Sequence, residues 1–161
     1  MQEIRNKVLI LPDIRSAQNV GAIFRTAEAA GINKIYLTGY TPTPIDKFNR
    51  VRKDIAKSAL GAEKTVEWEY KKNLASLFVY LKKQNYLIIA IEQSENSIDY
   101  KKINIKKIDK VAFVLGNEVL GLSKNSLQKC DIVAEIPMKG NKESLNVSVA
   151  CGVALFRILN V

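Results

Sequence analysis

Apolar residues along this chain fall into short continuous runs, and the stretches between them carry helical spacing. Lys7–Ile14 (KVLILPDI) predicts a strand ended by Pro12 and Asp13. Val20–Ala30 predicts a helix, with Asn19 as its N-cap and Gly31 as its stop. Lys34–Thr38 (KIYLT) predicts a second strand, and Gly39, Pro42 and Pro44 make Gly39–Arg52 a loop. Asp54–Leu60 predicts a short helix stopping at Gly61, and the alternation in Thr65–Tyr70 (TVEWEY) predicts a strand. Leu74, Leu77, Phe78 and Leu81 give Asn73–Gln84 a helical stripe. Tyr86–Ile91 (YLIIAI) and Val111–Leu115 (VAFVL) predict buried strands, with Lys101–Lys110 as a basic connector. Ser123–Lys129 predicts a helix, Ile132–Ile136 a strand, and Ser144–Asn160 a long closing helix.

Continuously apolar strands between helices predict an α/β fold, with a mainly parallel sheet and helices on both faces. Ligands of such folds sit outside the carboxyl ends of the strands. The loops after Leu115 and Ile136 are therefore the places to look for a site. No repeat and no linker interrupts the pattern, so residues 1–161 are expected to form a single domain.

Composition narrows the chemistry. The chain has 161 residues, 47% of them hydrophobic, enough to bury a core. No apolar run is long enough for a transmembrane helix, and the start (MQEIRNKVLILPDIR) lacks a signal-peptide core, so a cytoplasmic location and no membrane partner are expected. The formal net charge of +9 points to a polyanionic partner, nucleic acid first, against the plain reading of a lysine-rich soluble surface. There is no histidine, which excludes a histidine base, a Ser-His-Asp triad and histidine metal ligands. Cys130 and Cys151 are the only cysteines and form no CxxC pair, so no metal is expected.

Three stretches stand out: Asn19-Val20-Gly21-Ala22-Ile23-Phe24-Arg25, Gly116-Asn117-Glu118-Val119-Leu120-Gly121-Leu122, and Ile136-Pro137-Met138 followed by Ser144-Leu145-Asn146-Val147-Ser148. Singly, each has an ordinary structural reading. Asn19 and Ser144 fit as caps, Gly116 and Gly121 fit as brackets of a tight loop, and Arg25 fits as an exposed partner of Glu28. A phosphate loop is excluded, because Leu122 stands where that motif needs lysine. Together, N-x-G-x-x-x-R, G-x-E-x-x-G-L and I-P-M…S-L-N-x-S resemble, in order and spacing, the signature motifs of the SpoU (TrmH-like) RNA 2′-O-ribose methyltransferases of the SPOUT superfamily. The resemblance runs from Lys7 to the final helix and includes Ser58-Ala59-Leu60-Gly61-Ala62, with Glu67 at a position where a proline is frequent.

The resemblance implies a deep trefoil knot at the C-terminal end, whose loops bind S-adenosylmethionine and release S-adenosylhomocysteine. On this chain it assigns cofactor contacts to Ile91, Glu92, Leu115, Gly116, Asn117, Ile136, Met138, Ser144, Leu145 and Asn146. It assigns catalytic roles to Arg25, Asn19, Glu118, Ser144 and Asn146. In this reading Asn19 holds Arg25, Arg25 grips the phosphate beside the target ribose, and Glu118 anchors the network or takes the proton. It also implies a homodimer through the last helix, with active-site residues borrowed across the interface. The expected partner is RNA, with tRNA favoured over rRNA because the chain is close to a minimal catalytic domain. Contacts are expected from Lys47, Arg50, Arg52, Lys53 and Lys57, and a second cluster lies at Lys101, Lys102, Lys106, Lys107 and Lys110. Tyr40, Phe48 and Tyr100 are candidates to stack on unpaired bases. The competing expectation is a non-catalytic RNA-binding or ribosome-assembly protein on the same fold.

Overall fold

The computed structural model describes Ile4 and residues 6–161; Met1–Glu3 and Arg5, part of the stretch scanned for a leader, lie outside the described residues. Among the described residues seven strands form one sheet in the order β3-β2-β1-β6-β4-β7-β5. They are β1 (Asn6–Pro12), β2 (Lys34–Thr38), β3 (Glu67–Lys71), β4 (Leu87–Ile91), β5 (Ile98–Asp99), β6 (Lys110–Leu115) and β7 (Ile132–Glu135). Every neighbouring pair is parallel. All carboxyl ends therefore reach one edge of the sheet. The central strands β1, β4 and β6 are almost wholly buried, which is what their unbroken Val/Ile/Leu runs require.

Two hydrophobic cores flank the sheet. The larger packs Leu9, Leu11, Ile35, Phe113 and Ile89 against α1 (Ala17–Ala29), α2 (Lys53–Ala59) and α6 (Val147–Leu159). The smaller packs Val8, Ile10, Ala112 and Val114 against Leu77, Phe78 and Leu81 of α4 (Leu74–Lys83). The alternation Val8/Leu9/Ile10/Leu11 serves one core and then the other, as strand geometry dictates. The short helices α3 (Ala62–Thr65) and α5 (Lys124–Gln128) complete the set. No described helix is long and apolar enough to cross a membrane.

Several boundaries differ from expectation for local reasons. The first helix is capped by Ser16, whose side chain accepts from Asn19 N, so Asn19 lies inside the first turn rather than at the cap. The last helix opens at Val147, not Ser144; Asn146 is its cap and accepts from Ser148 N at 2.8 Å. Thr65 closes an extra helical turn instead of opening a strand. Gly61 has φ 97° and donates its N–H to the Glu63 carboxylate at 3.0 Å, which starts α3. The basic connector is preceded by the two-residue strand β5 and contains a 3-10 turn at Tyr100–Lys102, both too short for periodicity to register.

Candidate active site

The carboxyl ends of β4, β6 and β7 and the start of α6 enclose a cleft of about 350 Å³, a size usual for small-molecule sites. Its lining includes all ten residues expected at the cofactor: Ile91, Glu92, Leu115, Gly116, Asn117, Ile136, Met138, Ser144, Leu145 and Asn146. Asn19 and Glu118 line it as well. Gln93, Val119, Gly121, Val147 and Ala150 complete it; none was expected at the cofactor from sequence, although Val119, Gly121 and Val147 lie inside the motifs. The walls mix apolar side chains with amides, a serine and carboxylates. The lining carries two carboxylates, Glu92 and Glu118, and no lysine or arginine. Two carboxylates without a lysine or arginine make the lining a poor site for a phosphate.

The loop 116–122 is braced from both sides. Glu92 follows β4, and its carboxylate accepts from Leu122 N at 3.0 Å. A Cβ at Gly116 would stand 2.5 Å from Glu92 Oε2 and 2.9 Å from the Gly121 backbone, so the close approach needs glycine there. Asn117 is buried and its side chain makes four hydrogen bonds. Its Nδ2 donates to Asp13 O at 2.7 Å and to the Tyr40 hydroxyl at 2.9 Å, and its Oδ1 accepts from Val119 N and Leu120 N, both at 2.8 Å. Glu92 and Asn117 thus line the cleft while their polar atoms hold its floor.

Glu118 joins this loop to the mouth of α1. Its carboxylate accepts from Arg15 N at 2.9 Å, Ser16 N at 3.1 Å and Asn19 Nδ2 at 3.2 Å. Partial burial pushes its pKa up, but the backbone N–H groups of Arg15 and Ser16 outweigh that and leave it below the usual glutamate range. Asn19 passes the chain on: its Oδ1 accepts from Asn146 Nδ2 at 3.2 Å. Asn146 Oδ1 in turn accepts from the Ser148 hydroxyl at 2.6 Å. Residues from all three motifs are therefore linked through side chains, although they are about a hundred residues apart in sequence. Ser144 and Leu145 lie in the exposed approach to α6, with Glu143 O accepting from Gln93 Nε2 at 2.6 Å.

Arg25 is elsewhere. It is exposed on α1 and lines a groove with Ala22, Thr26, Ala29, Ser58, Gly152 and Phe156. Six helical residues turn about 600°, so Arg25 projects about 120° away from Asn19. Among the described residues no hydrogen bond joins the two, and the expected hold of Asn19 on Arg25 is replaced by the Asn19–Asn146 bond. The groove runs along α6, whose outer face exposes Val149 and Phe156.

Among the basic residues, Arg50 and Arg52 are paired within their own segment, to Asp46 at 2.8 Å and Asp54 at 2.9 Å. Lys47, Lys53 and Lys57 are exposed, in the loop that leaves the carboxyl end of β2 and in α2, and none of them lines the cleft. In the second cluster Lys110 opens β6 at the opposite edge, where its Nζ donates to Gln84 O at 3.0 Å.

A parallel α/β sheet, with a cleft at its strand ends built by three separated motifs, defines the class of α/β folds that bind a ligand at the strand ends. The SpoU rRNA Methylase family model matches residues 6–156, and the chain belongs to that family. A 23S rRNA (guanosine-2′-O-)-methyltransferase RlmB of Xylella fastidiosa is 36% identical over 150 residues, covering 92% of this chain and 56% of that relative. An AdoMet-bound rRNA methyltransferase from Sinorhizobium meliloti superposes with a TM-score of 0.85 at 25% identity, over 99% of this chain and 58% of that one. The A. aeolicus TrmH/SpoU tRNA modifying enzyme follows with a TM-score of 0.82 at 26% identity, over 98% of this chain and 77% of that one. The chain thus spans little more than half the length of its curated relatives.

Proposed function

We propose that this chain transfers a methyl group from S-adenosylmethionine to a ribose 2′-hydroxyl in RNA. One observation carries the reading: three motifs distant in sequence converge on one cleft and are joined through Glu118, Asn19 and Asn146. The cofactor, when bound, supplies an electrophilic methyl on a sulfonium and leaves as S-adenosylhomocysteine. Leu115, Ile136 and Met138 would bury the adenine, and backbone groups beside Gly116 and Leu145 would read its edge. The carboxylate-bearing, lysine-free lining suits the positive sulfonium. Glu118 already accepts from three N–H donors and stays ionised, so its part is to anchor the mouth of α1 rather than to take the proton. Asn146 and Ser144 order the last loop around the ligand.

Arg25 is the phosphate grip and orienting group for the ribose hydroxyl, a task to which a permanently charged fork is suited. Its place outside the cleft of its own chain supports a homodimer in which Arg25 serves the partner's cofactor. The exposed apolar residues Val149 and Phe156 on α6 favour that helix as the interface. The C-terminal trefoil knot is part of this proposal; the sheet order supports it, since the chain leaving β6 must cross β4 to reach β7. So are a cytoplasmic location and the working of residues 1–161 as one unit. The relatives' names weight the substrate toward large-subunit rRNA rather than the tRNA expected from the sequence, while the A. aeolicus enzyme keeps tRNA within the class.

The test is methyl transfer from radiolabelled S-adenosylmethionine to total RNA from cells lacking the protein, followed by nuclease digestion. Label in a 2′-O-methyl nucleoside is expected, and the size class of the labelled RNA names the substrate. Label in a base, or RNA binding with neither transfer nor cofactor binding, overturns the reading.

A further inference from the structure

Residues Ile45–Val51 form a small closed hairpin in the loop that leaves the carboxyl end of β2. Ile45 and Val51 pair in an antiparallel bridge. Asp46 N donates to Arg50 O at 2.9 Å, and Asn49 N donates to Asp46 O at 3.0 Å. The Asp46 carboxylate clasps the turn from inside, accepting from Phe48 N at 2.8 Å, Arg50 N at 3.0 Å and Arg50 Nε at 2.8 Å. Asn49 supplies the left-handed corner at φ 61°. The tip is therefore built, not loose, and what it presents is a phenylalanine. Phe48 is 65% exposed, with Lys47 Nζ 5.1 Å and Arg50 Cζ 4.9 Å from its ring centre.

An aromatic ring at the apex of a rigid turn costs solvation and contributes nothing to either core. The two cations differ in what holds them. The Arg50 guanidinium is fixed by Asp46, whereas no described acid pairs with Lys47, which can leave the ring. The loop that carries the hairpin starts beside the site. Tyr40, five residues before the hairpin, accepts from Asn117 in the cleft floor, and the Tyr40 N–H donates to Asp13 Oδ1 at 3.1 Å. Thr41 is buried and bridges Leu11 O and Ile14 N. Of the other aromatic candidates, Tyr100 packs against the main core, and the Tyr40 hydroxyl is taken by Asn117.

We propose that this hairpin is a stacking finger for single-stranded RNA: an unpaired base beside the target nucleotide lies on the ring of Phe48. Lys47 swings from the ring to the neighbouring phosphate as the base arrives, and Arg50 remains as the brace behind it. RNA is favoured over a protein partner by charge, since residues 46–57 carry Lys47, Arg50, Arg52, Lys53 and Lys57 against Asp46 and Asp54. The inference deepens the RNA reading above and rests on it.

The test uses the whole chain and a fluorescent, mixed-sequence single-stranded oligoribonucleotide, with a duplex of equal length as control. Phe48→Ala should weaken single-strand binding about ten-fold, leave duplex binding little changed, and leave S-adenosylmethionine affinity intact. Phe48→Trp should restore binding and show fluorescence quenching as RNA is added. A wild-type chain that does not bind the probe, a Phe48→Ala chain that binds it normally, or an unquenched tryptophan would each overturn the finger. So would a Phe48→Ala chain whose only change is in oligomeric state, because Phe48 would then be an interface between copies. The two readings separate cleanly. Loss of RNA affinity in Phe48→Ala without methyl transfer in the wild type keeps the finger and removes the enzyme. Transfer with an unchanged KM for RNA in Phe48→Ala keeps the enzyme and removes the finger.

Discussion

Gly21, the glycine of the first motif, offers a sharp test of how the site is supported. It is buried on α1 where that helix meets α2. A Cβ there would overlap the Ser58 hydroxyl and the Ile55 carbonyl oxygen and stand 3.0 Å from Ala59 N. The hydroxyl can rotate, but the carbonyl belongs to helix backbone, so α1 and α2 must part. Val20, Phe24, Ile55 and Ala59 are all fully buried and lose packing when they do. Overpacking of this kind costs about 1–3 kcal/mol, and a backbone obstacle places it at the upper end. The substitution regains about 1 kcal/mol of helix propensity. The net loss for Gly21→Ala is about 2 kcal/mol, or about 4–8 °C in Tm for a chain of this size. Thermal unfolding followed by circular dichroism measures it directly. Ser58→Ala in the same chain should return less than half of the loss, because the Ile55 carbonyl stays in place. A Gly21→Ala chain as stable as the wild type would refute the close-approach account and return this glycine to a catalytic explanation.

Other expectations follow from the hydrogen-bonded chain at the cleft. The Glu118 pKa is depressed in the folded state, so its stabilisation is complete above the ordinary glutamate range and is lost as pH falls through the depressed value. Wild-type Tm should therefore drop more than that of Glu118→Gln between neutral and strongly acidic pH; parallel curves would remove Glu118 as the anchor of α1. Asn146→Ala should weaken cofactor binding by calorimetry, since it removes both the α6 cap and the partner of Asn19, whereas Arg25→Ala should abolish methyl transfer and leave cofactor affinity nearly intact. Equal loss of affinity in both would mean that Arg25 shares the cofactor site of its own chain. Burial pushes the thiol of Cys130 up to about 11 and that of Cys151 up to about 12, so iodoacetamide should alkylate neither in the folded protein at mildly alkaline pH and both after unfolding. Rapid labelling of native Cys151 would show that α6 opens.

Much of the fold was legible because the strands are buried on both sides. VLIL, YLIIAI and VAFVL can hardly be anything else in a chain with helical stripes between them. The cleft was legible through motifs, since ten residues scattered from Ile91 to Asn146 meet in one lining. The capping of α1 by Ser16 was hidden because Asn19 is an equally good cap type; only the Glu118 carboxylate, a hundred residues on, decides which of them is free to turn inward. The separation of Arg25 from the cleft follows from helical pitch, yet the motif reads as one unit and invites the opposite conclusion. Gln93 and Ala150 carry no pattern of their own and enter the lining only because neighbouring residues bring them there.

The bracing of loop 116–122 has a thermodynamic consequence. Asn117, Glu92 and the two glycines settle the shape of the cleft floor as the chain folds. A ligand entering such a site has little backbone left to immobilise, so most of its contact energy is available as affinity. Damage to the brace would then appear as weaker binding, because the ligand would have to order the cleft floor as it enters.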